Sequence, residues 1–398
     1  MNESVLHHQH LHLHGDVRGG GDALKTFATL FSGGEGVGVG LQAAGLAHLW
    51  GVEYDSQIAA VAQGNGFDVT VADVRAVDYA AMPRADWLHA SPSCTRASVA
   101  NANAAEAQED IEAAQAVCRA LAAQQPDVFT LENVWQYRTF AAFRLICDQL
   151  DRMGYIWTYD HVNAADYGVP QTRRRLILRA ARGLLPHLPT PVPWVGWYAA
   201  IEDLIPTLPE SKLAPWQLAR LPEELRGSVL VGGGNTQLKQ VNSKARQADE
   251  PMFTVTSATK MGDNRAVLVP GLLNSDCTTM TTRDGDAWSV TVTTSHNQRD
   301  MRAVLVDIAN TSRDATVIEP DAPAMTVQAW HGRRPSQSPL AVAYRVVSMT
   351  PRALARFQSV PDAYRLPDKR TLAARVIGNM VPPLLMQRIA ENMLEALG

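Results

Sequence analysis

Leu24–Gly45, LKTFATLFSGGEGVGVGLQAAG, reads as an apolar strand, a glycine-rich turn and the opening of a helix. The same alternation continues: HLWGVEY (48–54), VTVADV (69–74), ADWLHA (85–90) and DVFTLENV (127–134) have strand character, against helical patterns near 36–45, 56–63, 104–124 and 140–153. Strands alternating with helices predict an α/β fold, a Rossmann-like and mostly parallel sheet covered by helices. In such sheets ligand and catalytic groups gather at the carboxyl ends of the strands. Phe31, Glu53, Asp73, Ser91 to Cys94 and Glu132 all stand where a strand pattern stops.

The chemistry at those ends is suggestive. The glycine-rich turn allows close backbone approach of a ligand in front of a helix N-terminus. It lacks the GK[ST] of a phosphate-binding loop, which argues against ATP. Glu53 can accept both hydroxyls of a ribose and Asp73 an exocyclic amine, or each acid can cap a helix. Cys94, in LHASPSCTRAS, is either an inert core thiol or a nucleophile activated by the start of a helix or nest behind it. Glu132 ends its strand and can hold a proton for a ring nitrogen. Together with Gln171-Thr-Arg-Arg-Arg175 it favours the nucleophile reading.

At 398 residues, 46% apolar and 19% charged, the chain is long enough for two domains of ordinary globular composition. No apolar run reaches the length of a membrane span and no secretory signal is evident, so a cytoplasmic location is expected. Four cysteines without a CxxC pair (Cys94, Cys118, Cys147, Cys277) predict neither a disulfide framework nor a zinc site. The net charge of −4 gives no general support to nucleic-acid binding. Any basic face must be local: Arg173, Arg174, Arg175 and Arg179, the stretch His331-Gly-Arg333-Arg334, and the segment from Arg345 onward, unless these are scattered solvated charges.

Residues 1–23 are His- and Gly-rich and read as a disordered leader, with adventitious metal binding the alternative. Residues 24–185 form the first domain. A Pro- and Trp-rich passage then opens a second, β-rich domain, 186–344. It carries a repeat of about 37 residues: Val229-Leu-Val231, Val267-Leu-Val269 and Val304-Leu-Val306 are each followed by an Asn (Asn235, Asn274, Asn310) and then by Thr254-Val-Thr256, Thr291-Val-Thr293 and Thr326-Val-Gln328. Stacked in register, these units would gather their basic loops on one edge for nucleic acid; a purely structural repeat is the alternative. Residues 345–398 return to the first domain.

Assembled in this order, the residues from 24 to 398 resemble the S-adenosylmethionine-dependent DNA (cytosine-5)-methyltransferases. The resemblance implies that Phe31 and Gly33 lie in the cofactor loop, that Glu53 binds the ribose with Tyr54 near the adenine, and that Asp73 meets the adenine amine. Asn379 and Val381, in RVIGNMVPP, would close over the cofactor. Cys94 matches the nucleophile, Ser98 the serine four positions later, Glu132 the acid of the Glu-Asn-Val motif, and Gln171, Arg173 and Arg175 the Gln-x-Arg-x-Arg motif. The second domain stands where the family places target recognition. Implied partners are duplex DNA and a cognate restriction endonuclease, with the protein a monomer. Transfer to RNA cytosine, or a catalytically silent DNA- or cofactor-binding relative, are the alternatives.

Several positions depart from the family pattern. Ser93 and Thr95 flank the nucleophile in place of Pro and Gln, Ala353 replaces a Glu, and Val347 an Arg. Glu35 occupies a usual glycine of the cofactor loop, either reaching toward the methionine ammonium or pointing outward.

Overall fold

The computed structural model describes residues 5–6, 24–93, 106–211, 229–231, 246–252, 254, 265–268 and 345–397. Two compact units divide it: Met1–Ile205, Asp249–Met261 and Thr350–Gly398 form the first, Pro206–Ala248 and Gly262–Met349 the second.

The first unit is built on one sheet. Its strands are β1 (Val5–Leu6), β2 (Thr26–Leu30), β3 (Ala47–Glu53), β4 (Val69–Val71), β5 (Trp87–Ala90), β6 (Val128–Asn133), β7 (Ile156–Asn163) and β8 (Arg174–Ala181). They lie in the order β1-β7-β8-β6-β5-β2-β3-β4. From β4 to β6 all neighbours are parallel. The chain order reverses between β2 and β5, which opens a crevice at their carboxyl ends. The sequence reading lacked β7 and β8; β8 runs antiparallel between β6 and β7.

Residues alternate across the strands, and both faces are apolar. Ala28, Leu30, Leu88, Ala90, Phe129 and Leu131 pack with Val117 and Leu121 of α3 (Gln108–Gln124) and Ile146 and Leu150 of α4 (Ala141–Arg152). Phe27, Trp87, Val128 and Ile177 join Val37 and Leu41 of α1 (Gly36–Ala43) and Leu385 and Ile389 of the C-terminal helix. Helix α2 (Ser56–Gly64) buries Ile58, Ala59 and Ala62. The short α5 spans Trp197–Ile201, and the chain ends in α6 (Pro351–Phe357), α7 (Arg370–Asn379) and α8 (Pro383–Leu397).

Three expectations change. Within the leader, Val5–Leu6 pairs with Tyr159 and Thr158 of β7, because an edge strand offers an unpaired row of backbone groups. The passage after Leu185 does not open the second unit: Val192 N and Trp194 Nε1 donate to Asp166 (both 2.8 Å) and Trp197 is wholly buried. Burial of tryptophan inside the first unit moves the boundary to Ile205/Pro206. Arg345–Ser348 is a strand of the second unit, so the return begins at Thr350.

In the second unit β9 (Val229–Val231), β10 (Arg246–Gln247), β11 (Arg265–Leu268) and β12 (Arg345–Ser348) form an antiparallel sheet in the order β10-β9-β11-β12. Leu230, Ala266 and Val347 are fully buried. The first VLV run is β9 and the first two residues of the second lie on β11; the two strands pair antiparallel, Val229 opposite Val267. Units related by translation would place these strands parallel, so the two are not stacked in register. Thr254 lies in the first unit, where its hydroxyl donates to Thr172 O at 2.6 Å. The third repeat, the stretch 331–334 and Cys277 lie outside the described residues. Among the described residues no helix is long and apolar enough to cross a membrane, and no cluster of His, Cys, Asp and Glu could hold a metal ion.

Candidate active site

The glycine-rich loop leaves β2 at Phe31, whose φ of 56° is left-handed, as is that of Gly33 at 55°. Ser32 N donates to Val52 O at 3.0 Å, keeping the turn against β3. Glu53, the last residue of β3, is gripped by two backbone amides: Gly33 N on Oε2 and Asp55 N on Oε1, each 2.8 Å. A carboxylate has about four acceptor sites, so two remain for ligand hydroxyls. Tyr54 beside it is 76% exposed. Asp73 follows β4 and accepts from Arg75 N at 2.9 Å and from the Arg75 guanidinium at 3.0 and 2.6 Å. Those bonds hold its carboxyl below the usual range. It is therefore a cap, with both carboxyl oxygens bonded to Arg75, although it also stands in the wall of a cleft. Phe31, Glu53, Tyr54, Asp73, Arg75 and Ser93 line this cleft, about 250 Å³ in volume.

The C-terminal segment braces the loop. Tyr364 Oη donates to Gly34 O at 2.6 Å, and a Cβ on Gly36 would sit 2.3 Å from Val381 O, so only glycine fits there. Val381 is buried against the loop, whereas Asn379 is exposed at the end of α7. Sequence placed both over the cofactor; Val381 supports the loop from behind.

Glu35 takes neither direction considered from sequence. It is fully buried, with φ 59°, and its side chain turns under the loop toward the sheet, where the Thr29 hydroxyl donates to it.

At the neighbouring strand ends lies the second half of the site. Cys94, Thr95 and Ser98 lie outside the described residues, which reach Ser93. Glu132, the penultimate residue of β6, is 7% exposed, and Arg175 of β8 places Nε 3.0 Å from its Oε1. The two are diagonal cross-strand neighbours, since Glu132 pairs with Ile177. The approach is close enough for an ion pair, but Oε1 has no aligned hydrogen-bond donor, so that oxygen is free to engage one. Asn133 Nδ2 donates to Pro92 O at 3.1 Å, tying the Glu-Asn-Val strand end to the turn that enters Cys94.

The other two residues of the Gln-x-Arg-x-Arg motif face elsewhere. Arg173 is buried and donates through Nη1 to Gly378 O at 3.1 Å; Gln171 Nε2 donates to Phe357 O at 3.3 Å. Both fasten the C-terminal segment, so Arg173 does not stand beside Arg175 at the carboxyl. Arg179, expected on a basic face, is buried in an ion pair with Asp160 at 2.9 Å. An exposed guanidinium has no reason to be there, but a buried one needs its partner.

Sequence reading missed His89. Its Nδ1 lies 2.8 Å from Thr130 Oγ1 and its Nε2 2.8 Å from Ser91 Oγ, bridging β5, β6 and the turn toward Cys94. A histidine within the apolar run WLHA was the available signal, because a buried ring must find partners. Burial pushes its pKa down to about 3. An unfolded histidine takes its proton near ~6.5 and the folded one does not, so stability is lost as pH falls below that value. The expected loss is roughly 2 kcal/mol by pH 5. Denaturant unfolding at pH 7.5 and 5.0 should show it in the wild type, and His89→Gln should flatten that limb; identical slopes would refute the assignment.

A cleft at the carboxyl ends of the parallel strands, where the strand order reverses, is the place where doubly covered α/β sheets bind nucleotide-type ligands. The family model for C-5 cytosine-specific DNA methylases matches residues 25–395. The chain belongs to that family, the enzymes that transfer a methyl group from S-adenosylmethionine to carbon 5 of cytosine in DNA. It is 25% identical over 387 residues to the type II methyltransferase M1.HphI of Haemophilus parahaemolyticus, covering 93% of this chain and 87% of that protein. It is 29% identical to M.XorII of Xanthomonas oryzae over 69% of this chain and 59% of the relative, and 26% identical to M.NgoBI of Neisseria gonorrhoeae over 41% and 53%. Against M.NgoBI and M.XorII the match thus spans a little over half of the relative's length. The fold is shared with the Entamoeba histolytica methyltransferase EhMeth, at a TM-score of 0.54 and 11% identity over 95% of this chain and all of that one.

Proposed function

We propose that this chain methylates carbon 5 of cytosine in duplex DNA through a transient covalent bond from Cys94 to a base swung out of the helix. The observation that carries the reading is Glu132, buried and paired with Arg175 at the strand end that Asn133 ties to the turn before Cys94.

Carbon 5 of cytosine is a weak nucleophile until a thiolate adds at carbon 6. In this reading Cys94 makes that bond, and Glu132 donates a proton or hydrogen bond to ring nitrogen 3, so the ring's electrons collect at carbon 5. Arg175 keeps the Glu132 carboxyl oriented. S-adenosylmethionine, when bound, supplies an electrophilic methyl carbon. Glu53 would hold its ribose, Asp73 its adenine amine, and Phe31, Gly33 and Tyr54 its faces; the doubly anchored Glu53 carboxylate fits a vicinal diol. Loss of the carbon 5 proton then re-forms the double bond and expels the Cys94 thiolate. The base has to leave the duplex first, at a cost of a few kcal/mol.

The second unit, Pro206–Ala248 and Gly262–Met349 with β9 to β12 in it, is proposed to read the DNA sequence, and the protein to act as a cytoplasmic monomer. The likeness to type II methyltransferases supports a restriction endonuclease of the same specificity as partner. Bisulfite sequencing of DNA from cells expressing the chain should reveal one methylated sequence context. Incubation with duplex DNA carrying 5-fluorocytosine in that context should leave a covalent complex in the wild type alone and none in Cys94→Ser. Methylated DNA without trapping would reject the covalent route.

A further inference from the structure

Glu35 stands at a loop position that suits glycine, with a left-handed backbone that is sterically costly for any other residue. Such a conformation persists where the surroundings over-determine it, and here they do. The carboxyl is fully buried. Its Oε1 receives the Thr29 hydroxyl, and His48 Nε2 lies 3.4 Å from the same oxygen. His48 Nδ1 accepts from Asp68 N at 3.3 Å, and Nε2 faces Glu35 in proximity without an aligned hydrogen bond. The imidazole is flanked by Phe27 and Phe67, with ring centroids 5.0 and 5.1 Å away. Two glycines keep the slot open: a Cβ on Gly51 would come 2.6 Å from Glu35 Oε1, and one on Gly38 2.4 Å from Oε2.

The carboxyl thus pins the loop from beneath, while Glu53 holds Gly33 N from the side. We infer that Glu35 is a positioning residue for the cofactor: anchored on Thr29 and packed against His48, it holds the backbone of Gly33 and Gly34 in the shape that S-adenosylmethionine binds. The inference rests on the proposed cofactor site.

Calorimetric titration of the full chain with S-adenosylmethionine tests it, using wild type, Glu35→Gly, Glu35→Gln and Thr29→Val. Glycine takes the backbone conformation without strain, so Glu35→Gly is expected to fold. Its Kd should nevertheless rise about 10-fold, the effect of losing a buried anchor. KM for S-adenosylmethionine should rise with it while kcat stays near wild type. Glu35→Gln keeps an acceptor and fills the slot, and should bind within about 3-fold of wild type; Thr29→Val, which removes a donor, should fall between the two. A Glu35→Gly protein that binds as tightly as wild type, or more tightly as strain relief alone would give, overturns the inference. So does a fall in melting temperature with Kd unchanged. Failure of the wild type itself to bind would instead remove the cofactor site, and this inference with it.

Discussion

Replacing Cys94 with alanine should reduce methyl transfer to duplex DNA by at least about 10⁴-fold, since a group that forms the covalent bond cannot be substituted by proximity alone. Tritium transfer from labelled S-adenosylmethionine measures it. Cofactor binding should not change, because the groups proposed to hold the cofactor, Glu53 and Asp73, sit at the ends of β3 and β4. Cys94→Ser should be nearly as inactive: it keeps the shape, but a hydroxyl is far less ionised than a thiol at neutral pH. Retention of a tenth of the activity by either variant would mean that carbon 5 is activated without a cysteine adduct.

Glu132→Gln is expected to lower kcat by about 10² to 10⁴-fold, the range supplied by a positioned acid. The side chains are isosteric, so β6 and its pairing with β8 should survive. Two things change at once: the ring nitrogen loses its proposed proton donor, and Arg175 loses the carboxyl that lies 3.0 Å from its Nε. Arg175→Ala separates them. It removes the orienting partner and leaves the acid, so it should cost less than Glu132→Gln, and the double variant should be no worse than Glu132→Gln alone. Additive losses would place the two residues in independent roles. Single-turnover measurements at saturating DNA keep binding out of the comparison.

Much of the site was legible because it sits at strand ends. Phe31, Glu53, Asp73 and Glu132 each stand where an apolar run stops, and the sheet brings all four to one edge. The hairpin of β7 and β8 was not found, although IWTYDHVN alternates as a half-buried strand should. Arg173 and Arg175 are two residues apart and chemically alike; burial against Gly378 and proximity to Glu132 separate them. The repeat was read from side-chain periodicity, which carries no strand direction, and β9 and β11 run in opposite senses.

The order of apolar runs, turn glycines and reactive residues was enough to set the fold class, the family and the chemical groups at issue, because burial patterns and motif spacing are local properties of a chain. Which groups touch could be settled only by contacts between residues distant in sequence. Glu35 under its own loop, His89 between two strands and Tyr364 on Gly34 each depend on backbone approach and on what burial demands of a polar atom. Tertiary packing alone fixes those.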